Sequence, residues 1–499
     1  MKLIAERFAA YKKFYVLSSC ALIFLLLCRL LANFIIPLND TTEARYSEIA
    51  RKMLETGDWV TLYHDYGIPF WAKPPLSTWL AAFSMKLFGV NEFAARFPSL
   101  LLSLAVLALV WQLARKQLDE LAALVAVVVL AGSFYFFLDA GAVMTEPALI
   151  FSTTLAFVSF WFAVRQDKVL WSYLFFVGLG LGLLAKGPIA LVLVGLPLFF
   201  WVLINNAWLR LWRKLPWIKG TLLMGLIALP WYFLAERHTP GFLNYFIMGE
   251  HIHRFLTPGW AGDKYGMAHH APKGMIWPYA LIGLMPWTLI LFFWLIKYRK
   301  EVFIAQEDRG WMSYLFLFTL MPLLFFTFAG NIIYPYVFPV LPAFALLFME
   351  VWKRTKHGAQ NSLWLPYVAL TAGFFALTAT AVFLINPNQV AKTQKPIIDA
   401  WLQLKPSTQS ELFYWGAVDF SAQFYSRGKA KPLSSLNDLC RAFHAQKDFY
   451  LVINAVDFIA FPRELTLQFQ IKQILNLGKN QFFLLRYAPG NKVLHTYCK

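Results

Sequence analysis

Long apolar segments set the strongest limit on how this chain can fold. A helix needs about 20 apolar residues to cross the hydrocarbon core of a bilayer, and 59% of the chain is hydrophobic while only 14% is charged. Because a bilayer admits only helices and closed barrels, we predict an all-α polytopic membrane bundle of about 11, and up to 13, transmembrane helices. The apolar runs lie near residues 14–36, 96–114, 120–138, 145–164, 169–185, 187–204, 217–235, 275–296, 310–329, 334–352 and 363–385.

We interpret the net charge of +18 as a signal of membrane topology and not of nucleic-acid binding. A nucleic-acid surface needs Lys and Arg gathered on one soluble face, whereas here they stand in short turns between apolar runs. Placing the N-terminus in the cytoplasm puts most of these basic turns on the cytoplasmic side, as the positive-inside rule expects. The same parity places residues 37–95, 236–274 and 386–499 on the outer face.

The last part of the chain has a different character. Its strand-like segments, such as DFYLVINA and QFFLLRYA, alternate with helical ones, and no further long apolar run follows. We therefore predict a transmembrane domain over residues 1–385 and a small soluble α/β domain over residues 386–499. Cys440 and Cys498 both fall in this outer domain, so a disulfide between them is a hypothesis.

The stretch NDTTEARYSEIARKMLETGDW, residues 39–59, is highly charged although it directly follows an apolar run. Its apolar positions recur at helical spacing from Thr42 to Thr56, with Gly57 at the expected end. This pattern predicts an amphipathic helix in the plane of the membrane interface. Asp40 and Glu43 at its start have two interpretations: they form a capping box, or they supply a carboxylate to an active site.

Two isolated lysines share the pattern of a cation held in a rigid segment. Lys73 lies in FWAKPPLS, beside two prolines, and Lys186 lies in LLAKGPIA at the outer ends of two apolar runs. Such a cation near the interface suits a phosphate group, although a snorkelling lysine or an ordinary turn residue would also fit. Glu146, at the start of a run in MTEPALIF, is either a functional carboxylate or a helix cap.

The outer loop 236–274 contains a polar cluster in the sequence GEHIHRF. Its members are Glu250, His251, His253 and Arg254. A metal site would need the two histidines in an extended strand, and no cysteine assists them, so we expect no metal here. We interpret the cluster as a site for a polar or phosphorylated ligand at the membrane surface.

Taken in order, these segments resemble a known family. TEARYSEIARKML, PFWAKPPLSTWL, MTEPALIF, LLAKGPIALVL, PGFLNYFIMGEHIHRFL and NIIYPYVFPVLPAFALL are similar to segments of the polyprenyl-phosphate-sugar-dependent glycosyltransferases of the GT-C class. Within this class the chain is most similar to the bacterial lipid A aminoarabinose transferases and the protein O-mannosyltransferases. The resemblance implies a bundle of membrane helices with interfacial helices in the first outer loop and a C-terminal α/β domain. It also implies a bacterial inner membrane, an active site on the periplasmic face and no cofactor.

The resemblance extends to individual residues, with departures. Lys73 and Lys186 match the lysines of the family's Lys-Pro and Lys-Gly-Pro segments, and Glu146 stands where relatives often carry aspartate. Relatives commonly have adjacent Asp-Glu before the Arg-Tyr pair; here Glu43 matches by spacing and Asp40 is displaced, so both carboxylates are candidates. A lysine often seen before the family's Pro-x-Tyr segment is absent from NIIYPYVFP, which leaves the sugar and the acceptor open.

The resemblance implies transfer of a sugar from a polyprenyl (undecaprenyl) phosphate donor to lipid A, another envelope glycolipid or a protein. Polyprenyl phosphate leaves readily once cations neutralise it, so the enzyme needs basic side chains at the membrane surface and a carboxylate for the acceptor proton. We assign the carboxylate to Glu43 or Asp40. The predicted donor phosphate-binding residues are Lys73, Arg45, Lys186 and Arg254, and the predicted substrate-binding residues are Tyr46, Glu146, Glu250, His251 and His253.

Two other classes of function remain as alternatives. A lipid-linked sugar flippase or transporter would place ionisable residues deep in several spans, and only Arg29 is conspicuous within an apolar run. A glycan polymerase or ligase would rely on one large outer loop, so that residues 236–274 would dominate and Lys73 would not matter.

Overall fold

Most of the chain folds into a bundle of long apolar helices, as predicted. The computed structural model describes residues 2–166, 168–266, 271–303, 310–355, 364–386, 392–404, 407, 410–444 and 448–487. The first span belongs to the helix Lys2–Ile35, and the sixth joins a 3-10 helix, Tyr334–Val340, to the α-helix Leu341–Arg354. The helical segments long and apolar enough to cross a membrane are Ala9–Ile35, Glu92–Gln117, Glu146–Arg165, Val169–Lys186, Trp217–His238, Tyr334–Arg354 and Trp364–Ile385.

The number of spans differs from the prediction. The predicted run 275–296 is bent by 99° between the helices Ile276–Gly283 and Trp287–Lys297, where Pro286 cannot continue the backbone ladder. Three further runs form helices of only 10–17 residues, Glu120–Ala131, Ile189–Ile204 and Trp311–Thr327. At 1.5 Å per residue the longest of these reaches roughly 26 Å, less than the bilayer core. The described residues thus contain seven spans, or eight with the bent pair, and the predicted count of 11 to 13 is not confirmed.

The segment between the first two spans forms an amphipathic helix, a hairpin and a second helix. The helix Thr42–Thr56 has the predicted extent and ends at Gly57, whose φ of 70° suits a glycine cap. Of the two interpretations of Asp40 and Glu43, the capping box is wrong: Thr41 is the N-cap residue and its side chain makes no capping bond. Asp40 accepts from Ser421, and Glu43 accepts from the backbone N–H of Asn39. Strands β1 (Tyr63–Asp65) and β2 (Ile68–Pro69) pair antiparallel, and the helix Leu76–Phe88 follows.

The long loop after the span Trp217–His238 contains a π-helix. This helix, Tyr245–His253, lies between the short helices Phe242–Asn244 and Arg254–Leu256. A π-turn contains one residue more than an α-turn, and such turns are rare and frequently found at functional sites. Further short helices connect the spans, namely Phe134–Asp139, Trp208–Lys214 and Arg299–Phe303.

The C-terminal part contains a five-stranded mixed sheet, as the strand-like segments predicted. Its strands are β3 (Glu411–Trp415), β4 (Ala430–Leu433), β5 (Phe449–Asn454), β6 (Phe469–Leu477) and β7 (Asn480–Tyr487). They lie in the order β4-β3-β5-β7-β6, in which β3 is parallel to β4 and β5, and β7 is antiparallel to β5 and β6. Cys498 lies outside the described residues, so its pairing with Cys440 stays a prediction. The helices of this part are Lys395–Gln403, Phe420–Tyr425, Leu436–His444, Ala455–Ala460 and Arg463–Thr466.

Candidate active site

Two adjoining cavities lie where the loops after the first and fifth spans meet the helix bundle. The large cavity encloses about 1850 Å³ of open space. Lys73, Lys186, Arg254 and Tyr336 line both cavities, so three cations lie at the boundary between the two. The narrow cavity has mainly apolar walls from Leu149, Ile189, Leu193, Phe255, Phe326 and Pro339. The large cavity has polar and aromatic walls that include Thr42, Arg45, Tyr46, Phe70, Glu146, Asp263, Tyr265 and Phe420.

Lys186 forms a buried ion pair with Glu146. Lys186 is the last residue of one span, where a cation is favoured by the helix dipole, and Glu146 is the first residue of another, where an anion is favoured. Lys186 Nζ donates to Glu146 Oε1 at 2.6 Å and lies 4.8 Å from the centre of the Tyr336 ring. Thr145 Oγ1 donates to the other carboxylate oxygen of Glu146 at 3.1 Å. The opposed helix ends therefore hold a paired acid and base at the cavity wall.

Glu250 joins the other two boundary cations. Lys73 Nζ donates to Glu250 Oε2 at 2.9 Å, and Arg254 Nη1 donates to the same oxygen at 3.0 Å. The π-helix positions Glu250 one turn before Arg254, which also lies 3.4 Å from Asp263. Burial raises the pKa of the Glu250 carboxyl, but Lys73 and Arg254 outweigh this effect and hold the pKa below its ordinary value. Glu250 is therefore an anion that neutralises both cations.

Arg45 differs from the three boundary cations. Its guanidinium lines the large cavity, donates to the Tyr265 carbonyl at 2.7 Å and lies 5.6 Å from the centre of the Phe70 ring. In the described part of the chain no carboxylate lies within ion-pair distance of it. Tyr46, the next residue, is buried beside it, and burial raises the pKa of its phenol. Arg45 is thus a cavity cation whose charge is available to an anionic ligand.

The two carboxylates assigned to proton transfer lie outside the walls of both cavities. Glu43 accepts from Arg96 Nε at 2.7 Å and from Arg96 Nη2 at 2.9 Å, so both of its oxygens are engaged by one guanidinium. Asp40 accepts from the backbone N–H of Ser421 at 3.0 Å and from the Ser421 hydroxyl. Their assigned role stays a prediction, and the carboxylates that do line the large cavity are Glu146 and Asp263.

Several proteins with similar sequences are named as sugar transferases. A family profile described as dolichyl-phosphate-mannose-protein mannosyltransferase matches residues 13–246. An undecaprenyl phosphate-alpha-4-amino-4-deoxy-L-arabinose arabinosyl transferase of Edwardsiella ictaluri is 31% identical over 61% of this chain and 54% of the relative. The protein of the same name from Aeromonas hydrophila is 32% identical over 70% of this chain and 63% of the relative. The chain resembles the GT-C glycosyltransferases. It spans less than two thirds of the length of these two transferases.

Solved structures share the fold of this GT-C-like chain. A crystal structure of ArnT from Cupriavidus metallidurans bound to undecaprenyl phosphate has a TM-score of 0.74 at 18% identity, and the match covers 94% of this chain and 97% of that one. The apo structure of the same protein has a TM-score of 0.73 at 19% identity, over 92% and 96% of the two chains. The predicted resemblance is confirmed, and the likeness in fold covers more than nine tenths of the chain.

The histidines of the GT-C-like site have separate positions. His251 lines the narrow cavity, and its two ring nitrogens lie 2.8 Å from the Phe246 carbonyl and 3.1 Å from the Lys186 carbonyl. His253 lines neither cavity and stacks on Trp260 with ring centres 5.9 Å apart. Among the described residues, no three His, Cys, Asp or Glu side chains converge as metal ligands would. Through its contacts with the Phe246 and Lys186 carbonyls, His251 stabilises the turn that contains Lys186.

Sequence reasoning missed several wall residues. Tyr336, which lines both cavities, lies in the segment NIIYPYVFP, where no site residue was predicted. Asp263 and Tyr265 belong to the segment GDKYG of the loop 236–274, for which no site residue was predicted. Phe420 belongs to the C-terminal part, and no sequence pattern placed that part beside the cavity.

Proposed function

We propose that this protein is an integral-membrane glycosyltransferase that moves a sugar from a polyprenyl (undecaprenyl) phosphate donor to an acceptor. The observation that carries the proposal is the position of Lys73, Lys186 and Arg254 at the boundary between a narrow cavity with mainly apolar walls and a large cavity with polar and aromatic walls. A polyprenyl-phosphate sugar has an apolar tail, an anionic phosphate and a polar sugar in the same order. The end of the tail next to the phosphate enters the narrow cavity, the phosphate lies among the cations, and the sugar extends into the large cavity.

The boundary cations stabilise the leaving phosphate. As the glycosidic bond breaks, negative charge grows on the phosphate oxygens, and fixed cations in a partly dehydrated site stabilise that charge strongly. In the structure Glu250 and Glu146 neutralise these cations. Donor phosphate then replaces a carboxylate as the partner of Lys73 or Arg254, so the site avoids leaving buried cations unpaired in either state.

Glu146 is our assignment for the carboxylate that takes the acceptor proton. Glu146 lines the large cavity, where the sugar would lie. Asp263, the other carboxylate in that wall, is paired with Arg254. Glu43 remains the competing assignment because its neighbours Thr42 and Arg45 line the cavity. Asp40 is the weaker competitor, since its carboxylate is bonded to Ser421.

The expected acceptor is lipid A or another envelope glycolipid, with protein as the alternative. Two relatives are named as undecaprenyl phosphate-aminoarabinose transferases, and the matching family profile is named for a protein mannosyltransferase. The basic cytoplasmic turns support an active site and a 386–499 domain on the periplasmic face of the inner membrane, joined to a 1–385 transmembrane domain. We expect membrane lipids to surround the bundle, and we expect no nucleic acid partner.

Mass spectrometry of envelope lipids and glycoproteins, from cells with and without this protein, tests the function. We expect one added sugar mass on a lipid or a protein, present with the wild-type chain and lost in Lys73→Ala. A flippase would bind undecaprenyl phosphate without changing any acceptor in a purified assay. Absence of transfer from undecaprenyl phosphate-linked 4-amino-4-deoxy-L-arabinose and from undecaprenyl phosphate-linked hexoses, to both lipid A and protein, would overturn the proposal.

A further inference from the structure

A six-residue helix of the C-terminal part, Phe420–Tyr425, meets the loop that carries the predicted active-site helix. The Ser421 hydroxyl and backbone N–H donate to Asp40. Gln423 accepts from Lys52 Nζ at 3.1 Å, and the Tyr425 hydroxyl accepts from the Leu38 N–H at 2.8 Å. Several side chains of this short helix therefore hold the same loop.

Phe420, the first residue of that helix, reaches the large cavity itself. Its ring meets the His64 ring edge to face with centres 5.2 Å apart, and His64 lies 5.3 Å from Tyr265. Tyr265 in turn meets Phe70 at 4.8 Å. Phe420 is thus connected to Tyr265 and Phe70 through His64, which itself lines neither cavity, and it lies 350 residues after Phe70 in the sequence.

We infer that Phe420 is a specificity-determining residue that packs against a sugar ring of the acceptor. The inference rests on the proposed function. The boundary cations hold the leaving phosphate, and in a direct displacement the acceptor hydroxyl approaches the anomeric carbon from the side opposite that phosphate. Phe70, Tyr265 and Phe420 line only the large cavity, away from the narrow one. The acceptor therefore lies on their side of the donor sugar.

The chemistry of this wall fits a saccharide. A sugar ring presents an apolar C–H face and polar edges, and pockets for such ligands combine aromatic surfaces with a few convergent polar groups. Here the aromatic wall adjoins Arg45, whose guanidinium lies 5.6 Å from the centre of the Phe70 ring. The C-terminal part is then a component of the acceptor site as well as an attached unit.

Steady-state kinetics of the purified full-length protein test the inference. The substrates are undecaprenyl phosphate-linked 4-amino-4-deoxy-L-arabinose and lipid A, and undecaprenyl phosphate binding is measured separately. Phe420→Ala should raise the KM for lipid A about tenfold, which corresponds to the loss of one aromatic contact, and leave undecaprenyl phosphate affinity unchanged. Phe420→Tyr should restore most of the loss because it keeps the ring. Ile459→Ala is the matched control, since Ile459 is an exposed apolar residue of the same C-terminal part.

The outcomes separate this inference from the proposed function. A wild-type protein that neither binds undecaprenyl phosphate nor transfers sugar overturns both. An active wild type with an unchanged lipid A KM in Phe420→Ala overturns the inference alone. Equal losses of donor affinity and lipid A affinity in Phe420→Ala, with no rescue by tyrosine, would also contradict it, because they indicate a purely structural residue.

Discussion

Lys186 Nζ and Glu146 Oε1 lie 2.6 Å apart in the wall of the large cavity, although 40 residues separate them in the sequence. Both side chains are largely buried. Removing one partner of such a pair leaves an uncompensated charge, whereas removing both is far less costly. The pair therefore offers a way to separate stability from function.

Lys186→Met should lower the free energy of unfolding by about 3 to 5 kcal/mol, the usual cost of breaking a buried pair. The double variant Lys186→Met with Glu146→Gln should regain most of that stability, because no charge is left unpaired. Its transfer activity should stay lost, because both a boundary cation and the assigned base are missing. Thermal unfolding and a transfer assay on the same preparations check both parts, and a fully active double variant would remove both Lys186 and Glu146 from the mechanism.

Glu146→Gln and Glu43→Gln should have opposite effects. Glu146→Gln should reduce turnover by about 10²- to 10⁴-fold, as expected for a lost general base, while undecaprenyl phosphate still binds. Glu43→Gln should retain turnover within a few-fold and lose about 1 to 3 kcal/mol of stability, because the buried Arg96 keeps only part of its bonding. Rates and unfolding temperatures of both variants decide the assignment. The reverse pattern would establish Glu43 as the base.

Gly187→Ala should damage the Lys186 turn. Gly187 has a φ of 81°, and a Cβ there would lie 2.6 Å from the Phe246 ring. An alanine in this conformation costs about 1 to 3 kcal/mol, and the displaced turn should also weaken donor binding. Gly195→Ala on the following helix is the matched control, since a Cβ there meets nothing within 4 Å. Similar behaviour of both variants in unfolding and undecaprenyl phosphate titrations would argue against a strained turn.

Asp40 should make stability depend on pH. Burial raises the pKa of this carboxyl to about 6, although its bonds to Ser421 oppose the effect. Since the folded pKa exceeds the unfolded one, the folded protein binds this proton more tightly, and the group's contribution falls as pH rises from about 4 to about 6. The Asp40→Asn variant lacks this ionisable group, so the wild type should lose stability relative to the variant as the pH rises across that window. Parallel unfolding curves for the two proteins between pH 4 and 7 would contradict the assignment.

The sequence predicted local elements better than the contacts between them. Helical spacing and Gly57 correctly predicted the helix Thr42–Thr56. The bend at Pro286 had a visible signal, which the hydrophobicity of the run 275–296 outweighed in the prediction. The pairing of Lys73 with Glu250, 177 residues apart, has no local signal, because it depends on how two loops fold over the bundle. For the same reason, the position of Phe420 in the cavity wall and the pairing of Arg96 with Glu43 could not be predicted from the sequence.

We propose that the boundary cations bind the donor phosphate, and a titration with undecaprenyl phosphate measures this binding. The proteins to compare are wild type, Lys73→Met and Lys264→Met. Lys264 lies near the site, 4.3 Å from the Trp71 ring centre, but it lines neither cavity. It therefore controls for the loss of one positive charge near the site.

We expect saturable binding to wild type and to Lys264→Met, and an affinity about ten- to a hundredfold lower for Lys73→Met, the cost of one charge-assisted bond. Isothermal titration calorimetry of detergent-solubilised protein at one fixed salt concentration measures all three. Equal affinities of wild type and Lys73→Met, or an equal loss in Lys264→Met, would contradict the account.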